Sequence, residues 1–379
     1  MSIEAEPITA GTPGNAADGT PRTLQCGALH LETGGRLPAV QLAFQTWGHL
    51  NAEASNAVLV LHALTGDAHA ADGPADTDGW WGDLVGPGKV IDTERFFVVA
   101  PAALGGCAGT TGPASTAPDG RAWGSRFPFV TLRDMARLEY ALLEHLGVGA
   151  WHTVIGGSLG GARALEWAAS FPDRVRRCAV LAASAAATAE QIALSQIQVQ
   201  AIRLDPAFRG GDYYDAEGAG PVVGLGIARR LAHVSYRSEP ELQARFGRSP
   251  QGEEHPLGTA DRDDRGRYAV ESYLDHQASK LVARFDANAY LSLTEALASH
   301  DVGRGRGGVE AALGALHGVD FFIAAVDSDR LYFPEQSEAM AAALPGEVRV
   351  EYISSPIGHD GFLTNAATQL EPALRRFLD

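Results

Sequence analysis

The sequence predicts an α/β protein: a mostly parallel sheet flanked by helices, with a helical segment inserted late in the chain. Three observations predict it. Short β-branched apolar runs alternate with helical patterns along most of the 379 residues. One such run, residues 151–155, passes directly into Gly156-Gly157-Ser158-Leu159-Gly160 and then into a helical segment. That is G-x-S-x-G in the strand–turn–helix context of a nucleophile elbow. Finally, the strand–helix rhythm breaks after Ala183 and resumes only at Asp320.

Taken in order, residues 25–49 alternate polar and apolar around Thr33-Gly34-Gly35 and read as an antiparallel hairpin that opens the sheet. AVLVL at 57–61 and FFVVA at 96–100 are apolar throughout, as buried parallel strands are. Leu132, Met135, Leu138, Leu142 and Leu146 recur at helical spacing within 131–146. The elbow strand follows, then a helix from near Gly161 to about Ser170, then a strand at 178–182. From about 186 to 303 helical patterns occur at 189–204, 224–236 and 272–285, with polar, Gly-rich stretches between them and no buried-strand pattern. Strands return at 320–326 and 348–353, each followed by a helix. The expected organisation is a disordered tail at 1–22, a core at 23–185, a helical cap or lid at 186–303 and the rest of the core at 304–379. Such a cap covers the C-terminal edge of the strands, where open α/β sheets bind ligands.

Composition narrows the function. With 45% hydrophobic residues the chain has a large core to bury. A net charge of −16 without a Lys/Arg-rich run argues against nucleic acid and anionic membrane as partners. No apolar run is long enough to span a bilayer, and the first twenty residues lack the basic and apolar regions of a signal peptide. Cys26, Cys107 and Cys178 are too scattered for a metal pattern or a disulfide framework, and free thiols suit the cytoplasm.

A serine nucleophile needs a base, and the base needs an orienting carboxylate. In the α/β-hydrolase fold these follow in the order Ser, Asp/Glu, His on loops after successive strands. The strand at 320–326 runs into Asp327-Ser328-Asp329, and the last strand leads to His359 in a Gly-flanked loop. Ser158 and His359 are thus the candidate nucleophile and base; spacing alone does not choose between Asp327 and Asp329. The elbow turn leaves the N–H of Leu159 free for an oxyanion at a helix N-terminus. His62-Ala-Leu-Thr-Gly66 follows an early strand, where the second oxyanion donor usually lies, and Leu64 is the expected donor. A metal set of His62, Asp67 and His69 matches no known cage spacing.

Several longer runs make the chain recognisable: HALTGDAH at 62–69, LGGCAGTTGP at 104–113, GGSLGGARALEWA at 156–168, ARRLAHVSYR at 228–237, FDANAYLSLTEALASHDVGRGRGG at 285–308, SDRLYFP at 328–334 and GHDGF at 358–362. Together they resemble the homoserine O-acetyltransferase family, acyl-CoA-dependent enzymes of methionine biosynthesis with the α/β-hydrolase fold. The resemblance extends over nearly everything after residue 25. It implies Ser158, Asp329 and His359 as the triad, and Arg229 and Asp360 as substrate contacts, with Tyr236 nearby in the same run. A guanidinium for the carboxylate and an aspartate for the ammonium suit a zwitterionic amino acid. The resemblance also implies acetyl-CoA as co-substrate, L-homoserine as acceptor, no bound cofactor or metal, and a homodimer paired through the cap helices. Succinyl-CoA as donor, serine as acceptor, a serine esterase and a non-catalytic receptor are the alternatives. The cap and the loop at 104–113 are the parts placed to narrow the entrance to Ser158. Leu159 stands where the family often has Met, which leaves the backbone N–H intact. Thr110 and Pro101 stand where Ser and Asn are usual, at positions expected to bear on the acyl pocket.

Overall fold

The apolar runs form one eight-stranded sheet in the computed structural model, which describes residues 18–73, 78–258 and 265–379. The strands are β1 (Arg22–Cys26), β2 (Val40–Trp47), β3 (Ala57–Leu61), β4 (Phe97–Pro101), β5 (Thr153–Gly157), β6 (Arg177–Leu181), β7 (Asp320–Val326) and β8 (Val350–Ile353). Their spatial order is β1-β2-β4-β3-β5-β6-β7-β8. β2 runs antiparallel to both β1 and β4, and every later pairing is parallel. The predicted hairpin is therefore β1 with β2, in register Leu24 to Leu42, and a smaller antiparallel pair, Leu29–His30 with Arg36–Leu37, tightens its turn. Most of the tail expected at 1–22 lies outside the described residues; Asp18 bridges Trp47 and β1 begins at Arg22.

Alternation along each strand builds two cores. Leu59, Leu61, Val99, Val154 and Val180 face one, with Met135, Leu142, Leu165 and Trp167 from α1 (Leu132–His145) and α2 (Leu159–Ser170). Val58, Val60, Val98, Ile155 and Leu181 face the other, shared with Phe362, Leu374 and Leu378 of the C-terminal segment. Thr131 caps α1 with a reciprocal box to Asp134, which is why that helix starts where its leucine pattern does.

Between β6 and β7 come α3 (Ala189–Arg203), α4 (Val222–Tyr236), α5 (Glu239–Arg245), α6 (Ala269–Val282), α7 (Ala287–Ala298) and α8 (Val309–Gly314), with no strand of the main sheet among the described residues. The segment leaves and rejoins the core side by side: Ala186 bridges Asp301, the Ala187 N–H donates to the His300 carbonyl at 2.8 Å, and the Val302 N–H donates to the Ala185 carbonyl at 2.9 Å. The Gly-rich return is also held by charge. Arg304 bonds Glu32 through Nε and Nη2 at 3.0 and 2.9 Å, Arg306 bonds Glu166 at 2.6 Å, and Arg133 of α1 reaches both carboxylates at 2.8 Å. The chain closes with α9 (Pro334–Ala343), then α10 (Gly361–Thr364), α11 (Ala366–Gln369) and α12 (Glu371–Leu378) after β8.

The elbow is the tightest place in the fold. α2 begins at Leu159, two residues earlier than the sequence pattern indicates, because the turn from β5 takes up only Ser158. A Cβ on Gly160 would lie 2.0 Å from the Leu61 carbonyl oxygen, and one on Gly156 would lie 2.4 Å from the Gly160 carbonyl carbon. Gly160→Ala is therefore expected to lower unfolding free energy by about 3 kcal/mol or more, since the obstacle is backbone rather than a movable side chain; urea denaturation of the variant beside the parent measures it.

Candidate active site

Ser158 sits at φ 58° and ψ −124°, in a region few non-glycine residues occupy. The strain, of order 1–3 kcal/mol, persists because its surroundings over-determine it. The Ser158 N–H donates to the Leu181 carbonyl at 3.0 Å and its carbonyl accepts from Ala162 at 3.0 Å, opening α2. The side chain does not cap the helix and lines a cavity instead. Leu159 is the first residue of α2, so its N–H has no carbonyl one turn back to bond. Leu64 lines the same cavity from the loop after β3.

His359 and Asp329 are both buried, and His359 Nδ1 lies 2.6 Å from Asp329 Oδ2. The other oxygen, Oδ1, accepts from the N–H groups of Leu331 and Tyr332 at 2.8 and 2.9 Å. The carboxylate is thus fixed at both ends. Asp327, which spacing left open, accepts instead from the Ser355 N–H at 3.0 Å and ties the β7 and β8 exits together. His359 Nε2 is buried and has no hydrogen-bond partner among the described residues. Burial by itself would lower the basicity of this imidazole; the Asp329 carboxylate outweighs it, Asp360 adds to that, and the net shift is upward.

Tyr332 touches every member of this group. Its N–H bonds Asp329, its ring stacks on His359 at 5.1 Å, and its phenol interacts with Ser158. Tyr236 meets His359 from the α4 side at 5.8 Å. The guanidinium of Arg229, about two turns earlier on the same face of α4, lies 5.8 Å from the Tyr236 ring, and its Nε is buried with no hydrogen-bond partner among the described residues. Asp360 acts electrostatically on Tyr236 and on His359, and its Oδ2 pairs with Arg237 at 3.2 Å.

The cavity at Ser158 measures about 50 Å³. Its walls are Leu64 and Ser158 from the core, Gln191, Leu194 and Gln198 from α3, Ser235 and Tyr236 from α4, Thr294 and Leu297 from α7, and Leu331 and Tyr332. None of the lining side chains is charged. The loop at 104–113, expected to narrow the entrance, contributes no lining residue. Thr110 is a strut: its hydroxyl donates to the Ala102 carbonyl at 2.8 Å and accepts from the Ala43 N–H at 3.0 Å, stitching the loop to β2.

His62, Asp67 and His69 do not form a metal site. His62 is pushed down to about 4 by burial and then by the Arg163 guanidinium, so it is neutral. Its Nδ1 bonds the Ala63 carbonyl at 2.7 Å and its Nε2 accepts from the Ala103 N–H at 2.9 Å, which occupies both ring nitrogens. Among the described residues no group of three or more His, Cys, Asp or Glu side chains is arranged to hold a metal ion.

A family model of the alpha/beta hydrolase fold matches residues 56–366. The homoserine O-acetyltransferase of Thermobifida fusca is 56% identical over 339 residues, covering 89% of this chain and 88% of its own. That of Clavibacter michiganensis subsp. michiganensis is 52% identical over 361 residues, 93% of this chain and 91% of its own. The chain belongs to the homoserine O-acetyltransferase family. Among solved structures, the homoserine O-acetyltransferase from Bacillus anthracis has a TM-score of 0.87 at 26% identity, covering 95% of this chain and 97% of that one. Esterase E22 has a TM-score of 0.86 at 27% identity, covering 95% of this chain and all of its own. A transferase of the family and an esterase therefore share one backbone, and side chains have to distinguish them.

Two residues of the site escaped sequence reasoning, Tyr332 and Arg237. Both lie inside runs that carry the family resemblance, SDRLYFP and ARRLAHVSYR, so the signal was present in residues adjoining those singled out.

Asp329→Asn should cost about 10⁴-fold in kcat, the loss seen when a triad carboxylate no longer holds the imidazole tautomer. Asp327→Asn should cost little beyond stability. Because the base must be neutral and its basicity is raised, the parent's kcat/KM should be half lost at a pH above the ordinary histidine value of about 6.5, and in Asp329→Asn that limb should move to lower pH. Steady-state pH profiles of the three proteins check both points.

Proposed function

We propose that the chain transfers the acetyl group of acetyl-CoA to the hydroxyl of L-homoserine through an acetyl-Ser158 intermediate, a ping-pong reaction serving methionine biosynthesis and needing no bound cofactor. The observation that carries this reading is a pair of opposite charges flanking the base: Arg229 against the Tyr236 ring that meets His359, and Asp360 next to His359 in sequence. A zwitterionic acceptor calls for a partner of each charge; a simple ester calls for neither. The similarity to curated homoserine O-acetyltransferases over most of the chain supports it.

In the first half-reaction His359 Nε2 takes the proton of Ser158 Oγ as that oxygen attacks the thioester carbonyl. The oxyanion is stabilised by the N–H groups of Leu159 and Leu64. Collapse expels CoA, which leaves as the thiol with the proton from His359. In the second half-reaction His359 deprotonates the γ-hydroxyl of homoserine, which attacks the acetyl ester; Ser158 departs and regains a proton. Asp329 holds the Nδ1–H throughout and stabilises the imidazolium formed in each half. Arg229 binds the homoserine carboxylate and Asp360 its ammonium, with Tyr236 packing between them. The helices inserted at 186–303 act as a cap whose side chains exclude water from the acyl-enzyme.

The small, uncharged cavity directly at Ser158 suits an acetyl group. Ile192, Ile197, Val223 and Ile227 are about half exposed or more on α3 and α4, and supply an apolar patch for a homodimer formed through the cap. Among the described residues no helix is long and apolar enough to cross a membrane. The free thiols of Cys26, Cys107 and Cys178 support a cytoplasmic location. The likeness to esterase E22 favours one second reading, hydrolysis of acetyl esters by the same triad.

Intact-protein mass spectrometry after mixing with acetyl-CoA alone should show an acetyl adduct on the parent and none on Ser158→Ala, and little adduct from succinyl-CoA. Persistence of the adduct in the variant removes Ser158 from its role; rapid decay to free acetate in the parent, unaltered by homoserine, makes the protein an esterase. Arg229→Ala should lose on the order of 30- to 1,000-fold in kcat/KM for homoserine, or about 2–4 kcal/mol. Ser158 acetylation in that variant should stay near the parent rate when followed by rapid mixing.

A further inference from the structure

Asp360 occupies the N-cap position of α10, where an aspartate ordinarily accepts a hydrogen bond from the first turn. It makes no such bond. Its Oδ2 pairs with Arg237 Nη2 at 3.2 Å, and no other hydrogen bond or ion pair to this carboxylate occurs among the described residues. Arg237 is held from behind as well: Nη1 lies 3.7 Å from Glu241 Oε1 on α5, and the same oxygen lies 3.5 Å from Arg245. Arg237, Asp360 and Glu241 have only 14–19% of their side chains exposed, so the chain of alternating charges is screened weakly. Arg237 is the residue that ends α4, directly after Tyr236 and two turns beyond Arg229.

The backbone joins the same two segments. The Ser238 N–H donates to the Ile357 carbonyl at 3.0 Å, the Ser238 hydroxyl donates to the Pro356 carbonyl, and a Cβ on Gly358 would lie 2.6 Å from Ser238 N. The end of α4 and the His359 loop are thus in fixed register, and the ion pair sets a side-chain orientation on top of it.

We propose that Arg237 is a positioning residue for the acceptor. It draws Oδ2 of Asp360 away from the helix cap and leaves Oδ1 to receive the acceptor's ammonium. This rests on the reading of Asp360 as the ammonium partner. One helix then supplies the carboxylate partner, Arg229, the packing ring, Tyr236, and the residue that aims the ammonium partner. A role of this kind acts on the second half-reaction and leaves the first alone.

The test measures two rates in four variants of the full-length protein: Ser158 acetylation by acetyl-CoA in rapid mixing, and kcat/KM for L-homoserine. Arg237→Gln should acetylate at near the parent rate and lose about 10- to 100-fold in kcat/KM for homoserine, the usual cost of misplacing a binding group. Most of that loss should lie in KM. Arg237→Lys, which keeps the charge without the fork, should recover part of it. Arg237→Gln added to Asp360→Asn should cost under about twofold more than Asp360→Asn alone, because a residue acting through Asp360 has nothing left to act on. Equal losses in both half-reactions, or additive losses in the double variant, overturn the proposal. If Asp360→Asn raises KM while Arg237→Gln does not, Arg237 is not the positioning residue and the reading of Asp360 stands. If Asp360→Asn leaves KM unchanged, the reading beneath it fails.

Discussion

The rest of the structure depends on how closely α2 crosses the end of β3. Gly160 comes so near the Leu61 carbonyl that no side chain fits between them, and Gly156 stands against Gly160 in the same way. That approach forces the chain to reverse within one residue, and the residue that reverses it is Ser158, held at positive φ. The Ser158 side chain is presented to the cavity because the backbone has nowhere else to put it. The same crossing aligns the N-terminus of α2 with the cavity, so the Leu159 N–H and the helix dipole point where negative charge would form. Strain at Ser158 is small beside the packing that imposes it, with both strand and helix buried on every side.

The histidine is governed by a competition between burial and charge. A fully enclosed imidazole resists protonation, and His62, in the loop after β3, shows the result: it stays neutral and serves as a bracket between two loops. His359 is equally enclosed, yet the carboxylate of Asp329 reverses the outcome. Two buried histidines in one active-site region therefore have opposite characters because only one has an anion on its ring. The anion is itself restrained by two backbone N–H groups, which leaves it a single oxygen to offer.

The inserted helices are integrated into the core more firmly than an appended lid would be. Their two ends pair with each other, and the arginines of the return segment share the carboxylates of Glu32 and Glu166 with Arg133 of α1. α4 meets the His359 loop through backbone bonds and through Arg237. Arg229, Tyr236 and the His359 loop consequently belong to one mechanical unit.

Read without coordinates, the sequence determined the strands and the elbow, and it named Ser158 and His359 as candidate nucleophile and base. It could do so because buried parallel strands are apolar throughout and because a strand–Gly-x-Ser-x-Gly–helix pattern allows few conformations. The family runs supplied the identities of Asp329, Arg229 and Asp360 as expectations. Spacing could not rank Asp327 against Asp329, since both stand at the exit of one strand; direction decides, and direction comes from the turn after β7. Nor could it place Thr110, which reads as a pocket residue and is a strut, or start α2 at Leu159, since helix ends depend on the neighbours they meet. The pairing of Arg237 with Asp360 joins residues more than a hundred positions apart. No local pattern encodes such a contact; it exists because the α4–α5 junction and the His359 loop pack backbone against backbone.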